Sequence, residues 1–357
     1  MSKIKVAVIF GGTSPEHDAS LSSATNIIKN IPEDKYEVIA VGITKKGRWL
    51  YYPGDVSLLT TSRWESHPDC TPAVLSPDPI HNGFILLGED SAIKKVDVIF
   101  PVLFGRNGTD GAIEGLCEMS GIPYVGSGIP ASANCMDKDI ANTILEANGI
   151  PTPRRIVVSR PDLKRMDDIS SEVASRLGFP VFVKPACGGS SLGVSKAYDA
   201  EGLSNGIKLA FAHDNKVIVE ECLAGRELEC AVFGSDKPLS SPVGEVTFDG
   251  DFYNYDAKYV LGSTRLIAPA EIDETSEKAI RNMAVKVFTA LDCCGFAMTS
   301  FFLSPTGEIT FGEINTLPRM SNISLYPRLM KELGITLPEI LDKLISLALE
   351  RAEITTD

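Results

Sequence analysis

Ile4-Lys-Val-Ala-Val-Ile-Phe10, closed by Gly11-Gly12, is the stretch on which the fold class turns. Six of its seven residues are aliphatic or aromatic and β-branched types dominate, so the run reads as a strand with both faces covered, the habit of parallel sheets. Ser20 to Asn30 follows with helical periodicity, and Tyr36-Glu-Val-Ile-Ala-Val-Gly-Ile43 supplies the next strand. Val96-Asp-Val-Ile-Phe-Pro-Val102 is a third, followed by a Gly-punctuated loop and a helix over 112–120. Strand, helix and strand in this alternation predict an open parallel α/β domain over residues 1–125. The stretch 60–83, rich in His, Pro, Asp and Asn, reads as an irregular insertion.

Further along, the pattern changes. A helix over 137–148 ends at Gly149-Ile-Pro-Thr-Pro153, where proline stops it. Phe179-Pro-Val-Phe-Val-Lys-Pro185 is a strand, and Ala186-Cys-Gly-Gly-Ser-Ser-Leu-Gly193 is a Gly/Ser loop before extended structure resumes at Val194-Ser-Lys196. These define a second unit, 126–215. The third, 216–357, alternates strands at 217–221, 229–233, 296–302 and 308–314 and closes with helices over 276–291 and 337–351. No internal repeat or low-complexity tract interrupts the chain.

At 357 residues the chain exceeds one typical core, in keeping with two or three packed units. The net charge of −13, from 34 basic and 47 acidic residues with no long basic run, argues against a nucleic-acid surface. No secretory signal and no apolar stretch near membrane length is present, and the eight scattered cysteines show no CxxC pairing. A cytoplasmic protein with reduced thiols, binding small molecules rather than nucleic acid or membrane, is the expectation.

Chemistry concentrates in a few places. Backbone N–H groups of Gly188, Gly189, Ser190, Ser191 and Gly193 can point at phosphate oxygens. A Gly/Ser run between strands is by itself most often a hairpin turn, and GxxxxGK[ST] is absent. Lys184, at the end of the preceding strand, is either snorkelling or placed to meet an anion. Glu313 and Asn315 lie two apart on a strand, hence on one face, where their oxygens can hold a hard cation; a solvated edge has the same pattern. Glu16, in the loop after the first strand, is a poor neighbour for phosphate and a good one for an ammonium group. The four histidines form no metal or triad spacing, and a dehydrogenase is excluded by the missing GxGxxG.

Taken in order along the chain, these segments resemble the D-alanine–D-alanine ligases of the ATP-grasp superfamily. Val8-Ile-Phe-Gly-Gly-Thr-Ser-Pro-Glu-His17 is similar to the family's first loop. Gly121-Ile-Pro-Tyr-Val-Gly-Ser-Gly128 and Met136-Asp-Lys138 look like the entry to its central domain. Lys184-Pro185 with Gly189-Ser-Ser191 resembles the phosphate strand and loop, and Tyr253 through Asp256-Ala-Lys-Tyr259 the loop that closes over the substrates. Glu313-Ile-Asn-Thr-Leu-Pro318 and Ser324-Leu-Tyr-Pro327 are similar to the C-terminal signature. The resemblance implies an ATP-grasp fold in which central and C-terminal α+β domains sandwich ATP, following the N-terminal α/β domain.

It also implies roles. Glu16, assisted by Ser190 and Tyr259, would hold the amino group of the first D-alanine. Lys138, Lys184 and Lys258, with the loop around Ser191, would meet ATP phosphates. Glu220, Glu221 and Leu223 would clamp adenine and Glu227 the ribose; Ser324 and Leu325 would meet the second substrate; Glu313 and Asn315 would bind Mg2+ or Mn2+. Phosphoryl transfer to a carboxylate, attack by a second amine and loss of phosphate would yield a dipeptide for peptidoglycan and thus for cell-wall shape. Tyr259 and Leu325 look like the dipeptide-forming D-alanine users, with D-serine an alternative second substrate and a homodimer the assembly common in the family.

Departures from the family pattern are concentrated at the reacting end. Met298-Thr299-Ser300 stands where the family usually has Arg-Val-Asp, removing one cation and one metal-binding carboxylate. Arg319 replaces a glycine, Phe104 a histidine, Thr109 a glutamate, and Cys187-Gly188 a charged pair. Two readings follow: an active ligase in which Arg319 restores the missing positive charge as a catalytic residue, or a divergent paralogue that keeps the nucleotide site for other substrates or for regulation.

Overall fold

The computed structural model describes residues 2–61, 63–88, 91–247 and 265–355, organised around three sheets. The expectations placed on Tyr253–Tyr259, including Lys258 and Tyr259, lie outside the described residues. In the first sheet β1 (Ile4–Gly11) lies between β2 (Tyr36–Ile43) and β7 (Val98–Val102), parallel to both. Val6 to Phe10 are fully buried, as a doubly covered parallel strand requires. The sheet then runs on through β3 (Trp49–Tyr51), β4 (Thr71–Leu75), β5 (Gly83–Leu86) and β6 (Ala92–Lys95), each antiparallel to the last. The parallel expectation thus holds for three strands, and the stretch read as an irregular insertion contributes β4. The links 44–48, 76–82 and 87–91 are too short for crossover helices, and the longer 52–70 carries, among the described residues, only the 3-10 turns Val56–Thr61 and Arg63–Ser66.

Helix α1 (His17–Asn30) follows β1, and α2 (Ala112–Ser120), α3 (Ile129–Met136) and α4 (Lys138–Ala147) lead into the second sheet. That sheet has the order β10 (Ser195–Ala197), β9 (Val181–Pro185), β11 (Lys216–Glu221), β8 (Arg155–Ser159), with α5 (Met166–Arg176) and α6 (Ala200–Ala210) beside it. Its strand β11 lies past the expected division at 215/216. The third sheet is antiparallel: β14 (Arg265–Ile267), β13 (Leu239–Thr247), β12 (Arg226–Gly234), β15 (Gly295–Leu303) and β16 (Ile309–Asn315). Helices α7 (Glu274–Ala290), α8 (Leu325–Glu332) and α9 (Leu337–Thr355) complete the chain.

One apolar core joins the first sheet to the last helix: Val6, Val8 and Phe10 share it with Phe296, Leu341 and Leu344. Asp342 of α9 accepts from Lys35 Nζ and Tyr36 Oη, each at 2.7 Å. Arg351 donates to the carbonyls of Tyr124 and Gly126, each at 2.8 Å. Among the described residues no helix is long and apolar enough to cross a membrane.

Candidate active site

Connections from all three sheets converge on one cleft of about 580 Å3. Glu16 enters from the first sheet, and the tight exit from β1 places it. Gly11 has φ +90° and a Cβ there would lie 2.2 Å from the Ile43 carbonyl oxygen, so only glycine fits. Ser20 then fixes the start of α1 by accepting from Gly11 N at 2.7 Å and donating to the Val102 carbonyl. Glu16 occupies the N-cap position of α1, yet its carboxylate makes no capping bond. It accepts instead from Ser190 Oγ at 2.6 Å and from Arg319 Nη2 at 2.8 Å, and Arg319 Nη2 lies 3.3 Å from Ser190 Oγ.

Ser190 is delivered by the Gly/Ser loop, which connects the antiparallel neighbours β9 and β10, so the connection is indeed a hairpin. Ser190 and Ser191 have φ of +54° and +58°, a left-handed conformation that costs a non-glycine residue about 1–2 kcal/mol each. Strain of this kind persists where surrounding structure imposes it. The imposing contacts are visible: Lys138 Nζ donates to the Gly188 carbonyl at 2.7 Å, Asp214 accepts from Cys187 N at 2.7 Å, and Ser190 is held by Glu16.

Arg319 is positioned from the opposite side. Its loop lies along α1, where Asn26 Nδ2 donates to the Met320 carbonyl at 2.5 Å and Ser23 Oγ accepts from Met320 N at 3.3 Å. The guanidinium carbon stands 6.0 Å from the centre of the buried Phe104 ring, within cation–π range. Two departures from the family pattern, Phe104 and Arg319, are therefore in register with each other. A third, Thr109, donates to the Gly105 carbonyl at 3.2 Å and helps shape the same wall.

Lys138 opens α4, whose Asp137 cap accepts from Asp139 N and Ile140 N. Its Nζ stands 3.2 Å from Glu313 Oε1, linking α4, the Gly/Ser loop and β16. Asn315 Oδ1 accepts from Leu317 N at 3.0 Å. Met298 and Ser300 face the cleft, whereas Thr299 points into the core and donates to the Cys230 carbonyl at 3.0 Å. Ser300 sits at a register shift between β15 and β16, and its hydroxyl accepts from Glu313 N at 2.9 Å. Gly312 makes room for it, since a Cβ there would meet Ser300 Oγ at 2.7 Å.

Glu227, Ser324 and Leu325 also line the cleft. Ser324 and Ser321 share a hydroxyl–hydroxyl bond of 2.7 Å at the start of α8, and Leu325 is buried. Lys184, Ser191, Glu220, Glu221 and Leu223 are not among its lining residues. Lys184 pairs with Glu220 across β9 and β11 in the described structure. Glu220 Oε1 is buried without a hydrogen-bond partner among the described residues. The Glu221 carboxylate turns away, accepting from Arg154 N at 2.7 Å and pairing with its guanidinium at 2.6 Å. Sequence reasoning passed over Glu229 and Arg328, which both line the cleft. Glu229 lies two residues from Glu227 on β12, the same one-face spacing that singled out Glu313 and Asn315, and it stands opposite Ser300 in the ladder.

Three sheets feeding one cleft, with a strained Gly/Ser hairpin on one side and carboxylates on an antiparallel sheet on the other, define an ATP-grasp protein, and the solved structures it superposes on have that fold. The chain belongs to the D-alanine–D-alanine ligase family. Residues 5–127 match the D-ala D-ala ligase N-terminus family and residues 144–346 the D-ala D-ala ligase C-terminus family. It is 43% identical to a D-alanine–D-alanine ligase of Acetivibrio thermocellus, over 98% of this chain and 96% of that protein. Against D-alanine–D-alanine ligase A of Escherichia coli it is 39% identical, over 98% and 97%. The VanG D-Ala:D-Ser ligase structure from Enterococcus faecalis superposes with a TM-score of 0.90 at 39% identity, over 97% of this chain and all of that one.

Proposed function

We propose that this chain is an ATP-dependent ligase that joins two D-alanines, the first through its carboxylate and the second through its amine. The observation that carries the reading is the convergence of Glu16, Lys138, Ser190, Glu313, Asn315 and Ser324 on one cleft, the order and placement that full-length relatives named D-alanine–D-alanine ligases make meaningful. The comparisons favour this reading over a divergent paralogue. The three units of the sequence reading, 1–125, 126–215 and 216–357, would carry the first substrate, the nucleotide and the phosphoryl-transfer chemistry, with β11 closing the middle sheet.

ATP fits what the residues leave open. The buried Glu220 Oε1 without a partner suits an N–H donor such as the exocyclic amine of adenine, because a buried acceptor left unpaired costs about 1–3 kcal/mol. Glu221, its side chain committed to Arg154, has only backbone to offer there, beside Leu223. Glu227 would reach ribose, and Lys138, Lys184, Lys258 and the loop at Ser191 would meet phosphates. Glu313 and Asn315 suit Mg2+ or Mn2+, since such ions bound with phosphates need only one or two protein ligands. The metal, when bound, would neutralise charge on the phosphate oxygens.

In the reaction the first D-alanine carboxylate takes the γ-phosphoryl group, giving an acylphosphate and ADP; the amine of the second D-alanine attacks its carbonyl, loses a proton, and phosphate leaves. Glu16 and Ser190 would hold the first ammonium, Tyr259 assisting. Ser324 and the Leu325 backbone at the start of α8 would hold the second carboxylate, favoured there by the helix N-terminus. Arg319 would supply positive charge where Met298 provides none. D-Serine is the alternative second substrate, in view of the D-Ala:D-Ser ligase that superposes so well. The setting would be the cytoplasm and the assembly a homodimer. The test is phosphate release from ATP and Mg2+ with D-alanine, with the product identified by mass spectrometry. D-Alanine-dependent phosphate together with the dipeptide is expected; nucleotide binding without turnover would return the chain to the paralogue reading.

A further inference from the structure

Glu16 presents a problem that its own surroundings solve. Its side chain is only 13% exposed, and a carboxylate removed from water needs a cation or strong donors close by. A substrate ammonium fills that need when one is bound. In the described structure Arg319 fills it, with Nη2 at 2.8 Å from Glu16 Oε1 and 3.3 Å from Ser190 Oγ. The guanidinium thus rests on the two groups to which the first substrate's amine is assigned. It is also the better exposed partner, at 32%, and it lines the cleft shared with Met298 and Lys138. A guanidinium suits phosphoryl oxygens as well as it suits a carboxylate.

We propose that Arg319 is a substrate-released cation: the ammonium of the first amino acid displaces its guanidinium from Glu16 and Ser190, freeing it to neutralise the phosphoryl group in transit. This rests on the ligase reading above. The pair would work as an interlock. Without an ammonium, Arg319 stays on Glu16, and transfer of the γ-phosphoryl group to water, giving ADP and phosphate, lacks its cation. With an ammonium in place, the cation arrives together with the carboxylate that accepts the phosphoryl group. Phe104 supports the resting position, its ring 6.0 Å from the guanidinium.

The test reads phosphate release from ATP and Mg2+ in the absence of any amino acid. Glu16→Gln weakens the hold on Arg319 and is expected to raise this release about tenfold, a share of the roughly 10²–10³-fold that one positioned donor contributes. Ethylamine, an ammonium with no carboxylate to accept a phosphoryl group, is expected to do the same to the wild-type protein, which needs no variant to fold. Arg319→Gly should abolish the ethylamine effect, lower kcat for ligation by about 10² and lower KM for the first D-alanine, because a competitor for Glu16 is gone. Thermal melting and ATP calorimetry check that each variant is folded and binds nucleotide. Unchanged release with both Glu16→Gln and ethylamine overturns the proposal, as does an ethylamine effect that survives Arg319→Gly. Absence of D-alanine ligation by the wild type would sink the ligase reading instead, and the ethylamine experiment reports on Arg319 in either case.

Discussion

Replacing Glu114 by glutamine should stabilise the protein at neutral pH and lose that advantage in acid. Glu114 lies in the first turn of α2, 6% exposed, with Ser132 Oγ donating to Oε1 at 3.3 Å and Oε2 buried without a partner among the described residues. Burial pushes its carboxyl from 4.5 up to about 7. Between those values the folded chain holds a proton that the unfolded chain has lost, so stability falls as pH rises through this window and levels off above it. The displacement corresponds to roughly 3 kcal/mol at about 1.36 kcal/mol per pH unit. Glutamine carries no charge and keeps the acceptor for Ser132, but its amide nitrogen inherits the unpartnered position, which takes back about 1 kcal/mol. A net gain of about 2 kcal/mol is expected near pH 8, turning into a loss of up to about 1 kcal/mol near pH 4.5. Urea unfolding of both proteins at these two pH values measures it, with unchanged m-values as the check on two-state behaviour. A difference that does not vary with pH, or a variant less stable at pH 8, would refute the reasoning that Glu114 is a charge buried at a cost.

Two further substitutions probe other parts of the structure. Arg155, whose side chain is 9% exposed, donates to Asp139 Oδ1 at 3.0 Å, Thr143 Oγ1 at 2.8 Å and Glu146 Oε1 at 2.5 Å, tying β8 to α4. Arg155→Ala should cost about 2 kcal/mol in the same urea assay, because it removes charge-assisted hydrogen bonds from a largely buried guanidinium to the partly buried Asp139 and the exposed Glu146; a loss under about 1 kcal/mol would mean that solvent replaces the guanidinium. Ser300→Asp restores a carboxylate beside Glu313, and Mg2+ affinity by calorimetry with ATP should rise about tenfold, as an added hard oxygen ligand predicts; unchanged affinity would count against Glu313 and Asn315 as the metal's ligands.

Much of the frame was legible because period and punctuation agree with the fold. The run at Ile4–Phe10, with Gly11-Gly12 after it, announces a buried strand and a sharp exit, and both are present. β4 was not legible: Thr71-Pro-Ala-Val-Leu75 carries a proline and sits among others, a composition read as loop that an antiparallel extension of the sheet nonetheless tolerates. α3 was missed for another reason, being short and built of small residues, although Pro130 at its first turn is a start signal. In the site, strand alternation found Glu313 and Asn315 and, applied evenly, finds Glu229. The Glu16–Arg319 pair was beyond such reading. The two residues stand 303 apart in sequence, and which cation meets which carboxylate is decided by how the Arg319 loop lies along α1.

The seat of α9 against α1, β7 and β15 bears on how the molecule comes into being. Leu341, Leu344 and Ile345 complete a core that Val6, Val8 and Phe10 already share with Leu21, Ala24 and Ile27 of α1, so the local β1–α1 pair is sealed only when the distant Leu337–Thr355 docks. Contacts of such separation close slowly, and a partly built apolar layer is exposed throughout. A chain truncated before Leu337 should therefore expose an apolar face that α9 covers in the intact protein.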